Sequence, residues 1–170
     1  MESYWEIVSG GDLWQGDLLH QCKVPKIPAG FPDVGDEPQE IQLDEYDLVV
    51  ATPTCDIEQK KVKVITLCTV WTVERFEKAN PSIKSKWNDV LKGRIEGLHL
   101  LSSYEEPSKN RMALIVDFHA IYSLPLEYLI RRAEALGKRP RLRSPWVEDF
   151  SQAFARYFMR VSLPSRVPSF

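Results

Sequence analysis

Two apolar runs constrain this chain more than any other feature: YDLVVAT at residues 46–52 and VKVITLCTVW at 62–71. Both are rich in β-branched residues and are hydrophobic at most positions rather than at alternate ones. A strand of that kind has no solvated face, so it must be covered on both sides. The connection, PTCDIEQKK, is polar and opens on a proline. It predicts a loop in which Asp56 fixes the turn by an Asx hydrogen bond and Cys55 packs inward.

The flanking segments follow from period and punctuation. Residues 13–24, LWQGDLLHQCKV, predict a first strand with Gly16-Asp17 as a turn or bulge before it straightens. Residues 25–40 hold four prolines and two glycines and predict a loop. From residue 72 the period changes to a helical turn through Lys78, ended by Asn80-Pro81. Ser82 is placed to cap a helix over SIKSKWNDVLKG, with Ile83, Trp87, Val90 and Leu91 on one face and Gly93 or Gly97 at its end. Leu98–Leu101 and Met112–Phe118 predict two further strands around the polar turn SSYEEPSKNR.

Two helices close the chain. In the first, Leu126, Leu129, Ile130, Ala133 and Leu136 line one face, and Gly137 ends it. RPRLRS follows as a short basic strand or extended link, and Ser144-Pro145 opens the last helix. Trp146, Phe150, Phe154 and Phe158 then recur every four residues and predict a core-facing stripe, with Leu163-Pro164 as the stop. The sum is one α+β domain over 1–170: strands of a small twisted sheet or barrel within about 13–71 and 97–123, a helical insertion at about 72–96, and helices at about 125–136 and 145–161. At 170 residues such a chain can bury a core of its own.

Composition narrows the class. No apolar run reaches the roughly 18 residues that span a bilayer, and the opening MESYWEIVSGGD carries acids but no base, unlike a secretory signal. Three irregularly spaced cysteines do not make a disulfide framework. The expectation is a cytoplasmic protein with reduced thiols, no membrane partner and no cofactor. Net charge is −2, yet residues 1–130 carry 13 Lys+Arg against 21 Asp+Glu, and residues 131–170 carry 9 against 3. The basic end is either a solvated surface or a contact for an anionic partner through Arg139, Arg141 and Arg143.

Several chemistries are weighed by their patterns. Metal binding needs grouped ligands, and the chain has no CxxC, HxH or HExxH, although His20 and Cys22 share one side of a strand. Cys55 stands at a strand end, where reactive groups often lie, but its neighbour Asp56 gives a thiolate no electrostatic support. Neither GxxxxGK[ST] nor GxGxxG nor GxSxG occurs.

The order GDLLHQC, proline-rich loop, DLVVATPTCDI, VKVITLCT resembles the opening of the PemK/MazF-like SH3-like barrels over residues 15–70. That resemblance implies a small, highly curved SH3-like β-barrel with the helices packed on it. The toxins of that family are sequence-selective ribonucleases that pair a threonine with a basic residue. Here the threonine falls on Thr69, while the basic position falls among Asp44, Glu45 and Tyr46, so bases would have to come from Arg141 or Arg143. The Cys-Asp turn and QAFARYFMRVSLP are also similar to uncharacterised bacterial proteins with an "SQSCD"-type turn and a "FARFFMRVGLP"-type ending, which implies an accessory role in a bacterial multi-gene system. The reading preferred from the sequence is a non-enzymatic adaptor that engages a protein partner, rather than nucleic acid, through a rim of Asp17, His20, Cys55 and Asp56. A Thr69 ribonuclease and a Cys55-centred hydrolase are the alternatives.

Overall fold

In the computed structural model, residues 3–30, 40–105 and 112–159 are described. The central loop around 31–39, most of the turn before Met112, the end of the last helix and its Leu163-Pro164 stop lie outside them. The two apolar runs become β3 (Gln42–Val50) and β4 (Val64–Thr72), at the middle of an antiparallel sheet. Their neighbours are β2 (Leu18–Lys26), β5 (Leu98–Leu101) and β6 (Leu114–Pro125), in the order β2-β3-β4-β6-β5. A second, two-stranded sheet joins β1 (Trp5–Ser9) to β7 (Lys138–Leu142). Among the described residues, an isolated antiparallel bridge from Asp17 to Arg141 links the two sheets. Both sheets are open among the described residues, so the architecture is α+β and the expected barrel closure is not seen.

Both faces of the large sheet are covered, as the unbroken apolar runs require. Leu48, Val50, Ile65 and Leu67 face α4 (Leu126–Leu136) through Leu129 and Ala133, all buried. Val49, Cys68, Val70 and Val116 face Trp5 of β1 and Phe150 of α5 (Trp146–Phe158). The α5 stripe is not uniformly core. Phe150 is fully buried and Phe154 half-buried, while Phe158 is 56% exposed.

The ladder between β4 and β6 breaks once, where Cys68 pairs with Ile121 but Thr69 pairs with Asp117. Thr69 is buried at that break and donates its hydroxyl to the Ala120 carbonyl at 3.0 Å. It therefore satisfies a backbone acceptor that the bulge has released.

The insertion departs from the single helix expected over 82–93. It forms α2 (Val73–Ala79), a 3-10 turn at Pro81–Ser85 and a short α3 (Trp87–Leu91). Ser82 caps nothing; Thr72 caps α2 instead, accepting from the Arg75 N–H. Phe76, Ile83, Val90 and Ile115 make a small core of their own, and Trp87 donates to Glu77 at 2.8 Å.

β7 is the largest surprise. Lys138 is exposed, but the strand's other two basic residues are not on the surface: Arg139 is 1% exposed and Arg141 7%. Side chains two apart on a strand share a face, and these two point at Asp17, itself fully buried. Gly16 makes the approach possible. It sits at φ +86°, and a Cβ there would stand 2.9 Å from Leu142 Cβ.

Candidate functional site

The turn that ends β3 forms one wall of a cleft. After β3 the chain runs through Pro53 into α1 (Thr54–Glu58), a single helical turn whose start carries no side-chain cap. Cys55 is exposed there rather than tucked inward, and Asp56 makes no Asx cap. The Asp56 carboxylate lies 3.8 Å from Cys55 Sγ and 3.8 Å from Lys61 Nζ. Beside this turn, Trp14 and Gln15 come in from the chain before β2, Arg141 to Ser144 from the end of β7, and Glu148, Ser151 and Gln152 from α5. Together they enclose a cleft of about 700 Å³.

Gln15 ties the walls together. Its backbone N–H donates to Thr54 Oγ1 at 3.1 Å, and its side-chain amide donates to the Ala51 carbonyl at 2.9 Å and to Ser151 Oγ at 3.3 Å. Trp14, 41% exposed, lies under the Arg141 guanidinium, whose carbon is 4.4 Å from the ring centroid. Such a stack contributes about 0.5–1 kcal/mol at an exposed site.

Below the cleft lies the clamp that immobilises Arg141. Arg139 Nε donates to Asp17 Oδ2 at 2.9 Å, Arg141 Nη2 donates to the same oxygen at 3.0 Å, and Arg141 Nε donates to Asp17 Oδ1. The Trp14 N–H adds a fourth donor to the carboxylate. Remaining guanidinium groups reach the carbonyls of Gly10 and Asp12. Arg141 Nη1 alone makes no hydrogen bond among the described residues. One carboxylate between two guanidiniums leaves a single excess positive charge, which the rim acids Glu6 and Glu148 offset.

The residues singled out from sequence are thus sorted. Cys55, Arg141 and the exposed Arg143 share the cleft, although the sequence reading treated them as separate features. Asp17 is not a rim residue but the buried anchor, and Arg139 is no contact for an outside anion, because its donors are consumed internally. Thr69 is likewise committed to a backbone carbonyl inside the sheet.

His20 belongs elsewhere. It lies in the β2 bulge, 3.3 Å from Asp47 Oδ1 and 3.4 Å from the Tyr104 hydroxyl, beside Gln21 at φ +51°. Burial alone would raise the Asp47 carboxyl; the His20 hydrogen bond, the Gln21 N–H at 2.9 Å and the charges of His20 and Arg75 outweigh it and hold the group below its ordinary value.

The other two thiols are inert by position. Burial pushes both Cys22 and Cys68 up to about 12. Among the described residues no three of His, Cys, Asp and Glu are grouped to hold a metal ion. Trp14, Gln15 and Ser151 were missed in the sequence reading; the only local signal was an aromatic residue just ahead of the Gly16-Asp17 turn. Compared with models of protein families and with curated proteins, the chain matches none. No helix among the described residues is long and apolar enough to cross a membrane.

Proposed function

We propose that this protein is a non-catalytic adaptor whose cleft receives a chain segment of a partner protein. The observation that supports it is the Trp14–Arg141 pair: a half-exposed indole under a guanidinium already fixed by Asp17. Aromatic and arginine side chains dominate binding energy at protein interfaces. Here the arginine loses little further freedom on binding, because the fold has already immobilised it. A segment that lays an apolar side chain on Trp14 and offers a carbonyl or carboxylate to Arg141 Nη1 fits this arrangement.

The charge balance favours a protein over nucleic acid. Glu6 and Glu148 stand at the same rim as Arg141 and Arg143, so a phosphate backbone meets no net cationic field. The ribonuclease alternative draws no support from Thr69, whose hydroxyl is internally bonded. The hydrolase alternative has no histidine to act as base beside Cys55: none of His20, His99 and His119 lines the cleft.

Random peptides displayed on phage, panned against the full chain, supply the test. Enriched peptides are expected to bind Trp14→Ala at least about 30-fold more weakly, the size of an interface hot spot. A bulky maleimide on Cys55 should block them, while Cys55→Ala should not. Failure to enrich any sequence, or equal binding by maleimide-blocked protein, would overturn the adaptor reading.

A further inference from the structure

A second cavity, of about 500 Å³, lies between α3, β5 and α5 and shares no lining residue with the cleft. Ile95, Leu98, Phe118 and Ala153 give it an apolar body, and His99, Asp149 and Arg156 give it a polar end. A pocket of this size and mixture suits a small organic molecule.

His99 is the unexplained group. Its ring stacks on Phe118, with centroids 6.3 Å apart and planes 17° from parallel. Its Nε2 is buried and has no hydrogen-bond partner among the described residues. Asp149 Oδ2 stands 3.8 Å away, too far to accept a hydrogen bond. Burial lowers the imidazole pKa, which favours the neutral ring, and the Asp149 carboxylate on that side favours the tautomer with its proton on Nε2. The ring therefore offers a donor with nothing to receive it, and native structures seldom leave such a group unmet.

Two cations and two carboxylates line the cavity. Arg156 and Lys92 line the cavity, and neither has an ion-pair partner among the described residues. Of the two wall carboxylates, Glu96 already has an interaction, and Asp149 is 60% exposed and free to swing aside.

We propose that this cavity binds a small aromatic monocarboxylate, its ring on the apolar wall by Phe118 and its carboxylate between His99 Nε2–H and the Arg156 guanidinium. The two acceptor oxygens satisfy the buried donor and the free cation together. This site is independent of the cleft and of the adaptor reading.

Benzoate, benzamide and benzylamine carry one ring and three different charges or donor sets, and ligand-observed NMR on the full chain compares them. Benzoate is expected to bind best. Arg156→Ala, an exposed change that leaves the fold intact, should weaken it by about tenfold, the loss of one charge-assisted hydrogen bond. His99→Phe should do the same, and Trp14→Ala should change nothing. The proposal is overturned if benzoate does not bind, if benzylamine binds as well, if Arg156→Ala is silent, or if Trp14→Ala abolishes binding and so places the carboxylate in the cleft.

Discussion

Asp17→Ala removes the anchor of two guanidiniums that stay inside. The carboxylate accepts from Arg139 Nε, Arg141 Nε and Nη2, and the Trp14 N–H. Without it, Arg139 at 1% exposure keeps hydrogen bonds only to the Gly10 and Asp12 carbonyls, and Arg141 keeps one to Asp12 and its stack on Trp14. Breaking a buried pair by deleting one partner costs about 3–5 kcal/mol. In a chain of this length each kcal/mol moves the melting temperature by about 2–4 °C, so the expected fall is about 6–20 °C. Urea unfolding followed by tryptophan fluorescence reads it, and urea, unlike guanidinium chloride, adds no salt that would screen the clamp. A triple replacement, D17L/R139M/R141M, strands no charge and should lose less than D17A alone although it alters more groups. A loss below about 1 kcal/mol for D17A, the range of exposed pairs, would refute the clamp. So would a triple variant that is worse than the single.

Two further outcomes follow from titratable groups. In native protein one thiol, Cys55, should react promptly with a chromogenic disulfide, and Cys22 and Cys68 should appear only on unfolding, since burial holds both thiols near 12; two fast thiols would contradict the packing of β2 and β4. For Asp47, whose carboxyl lies below its ordinary value in the folded state, the stability it contributes is complete above the unfolded value near 3.9 and is lost as pH falls through the folded one. The gap in stability between parent and Asp47→Asn should therefore be widest at neutral pH and close on acidification below about pH 4, measured by urea unfolding across pH; a gap that is constant with pH would show that His20 does not stabilise the ionised carboxylate.

Legibility varied with how local the cause was. β3 and β4 could be read because two-sided burial leaves an unbroken apolar run, and α4 because Leu126, Leu129, Ile130, Ala133 and Leu136 fall on one helical face. The expected helix from Ser82 is replaced by a 3-10 turn over Pro81–Ser85 and the short α3, and Ile83 and Val90 from the two pieces share one small core. Cys55 was placed on the wrong side because a one-turn helix, rather than an Asx turn, ends β3.

At the candidate site the difference is sharper. A sequence shows that Arg139 and Arg141 are charged and two apart, which fits a solvated strand as well as a buried one. What decides between them is a carboxylate 122 residues from Arg139 in the chain, brought within hydrogen-bond distance by pairing β1 with β7 and bridging Arg141 to Asp17. By itself the sequence determined the mixed class, the two-sided strands and most helix faces, since hydrophobic period is a local property. Only the tertiary structure decided that Arg139 and Arg141 are internal, that Cys55 and Arg141 share a cleft and that His99 faces a cavity. Each of these depends on contacts between distant segments, where burial changes what a charge or a ring nitrogen can do.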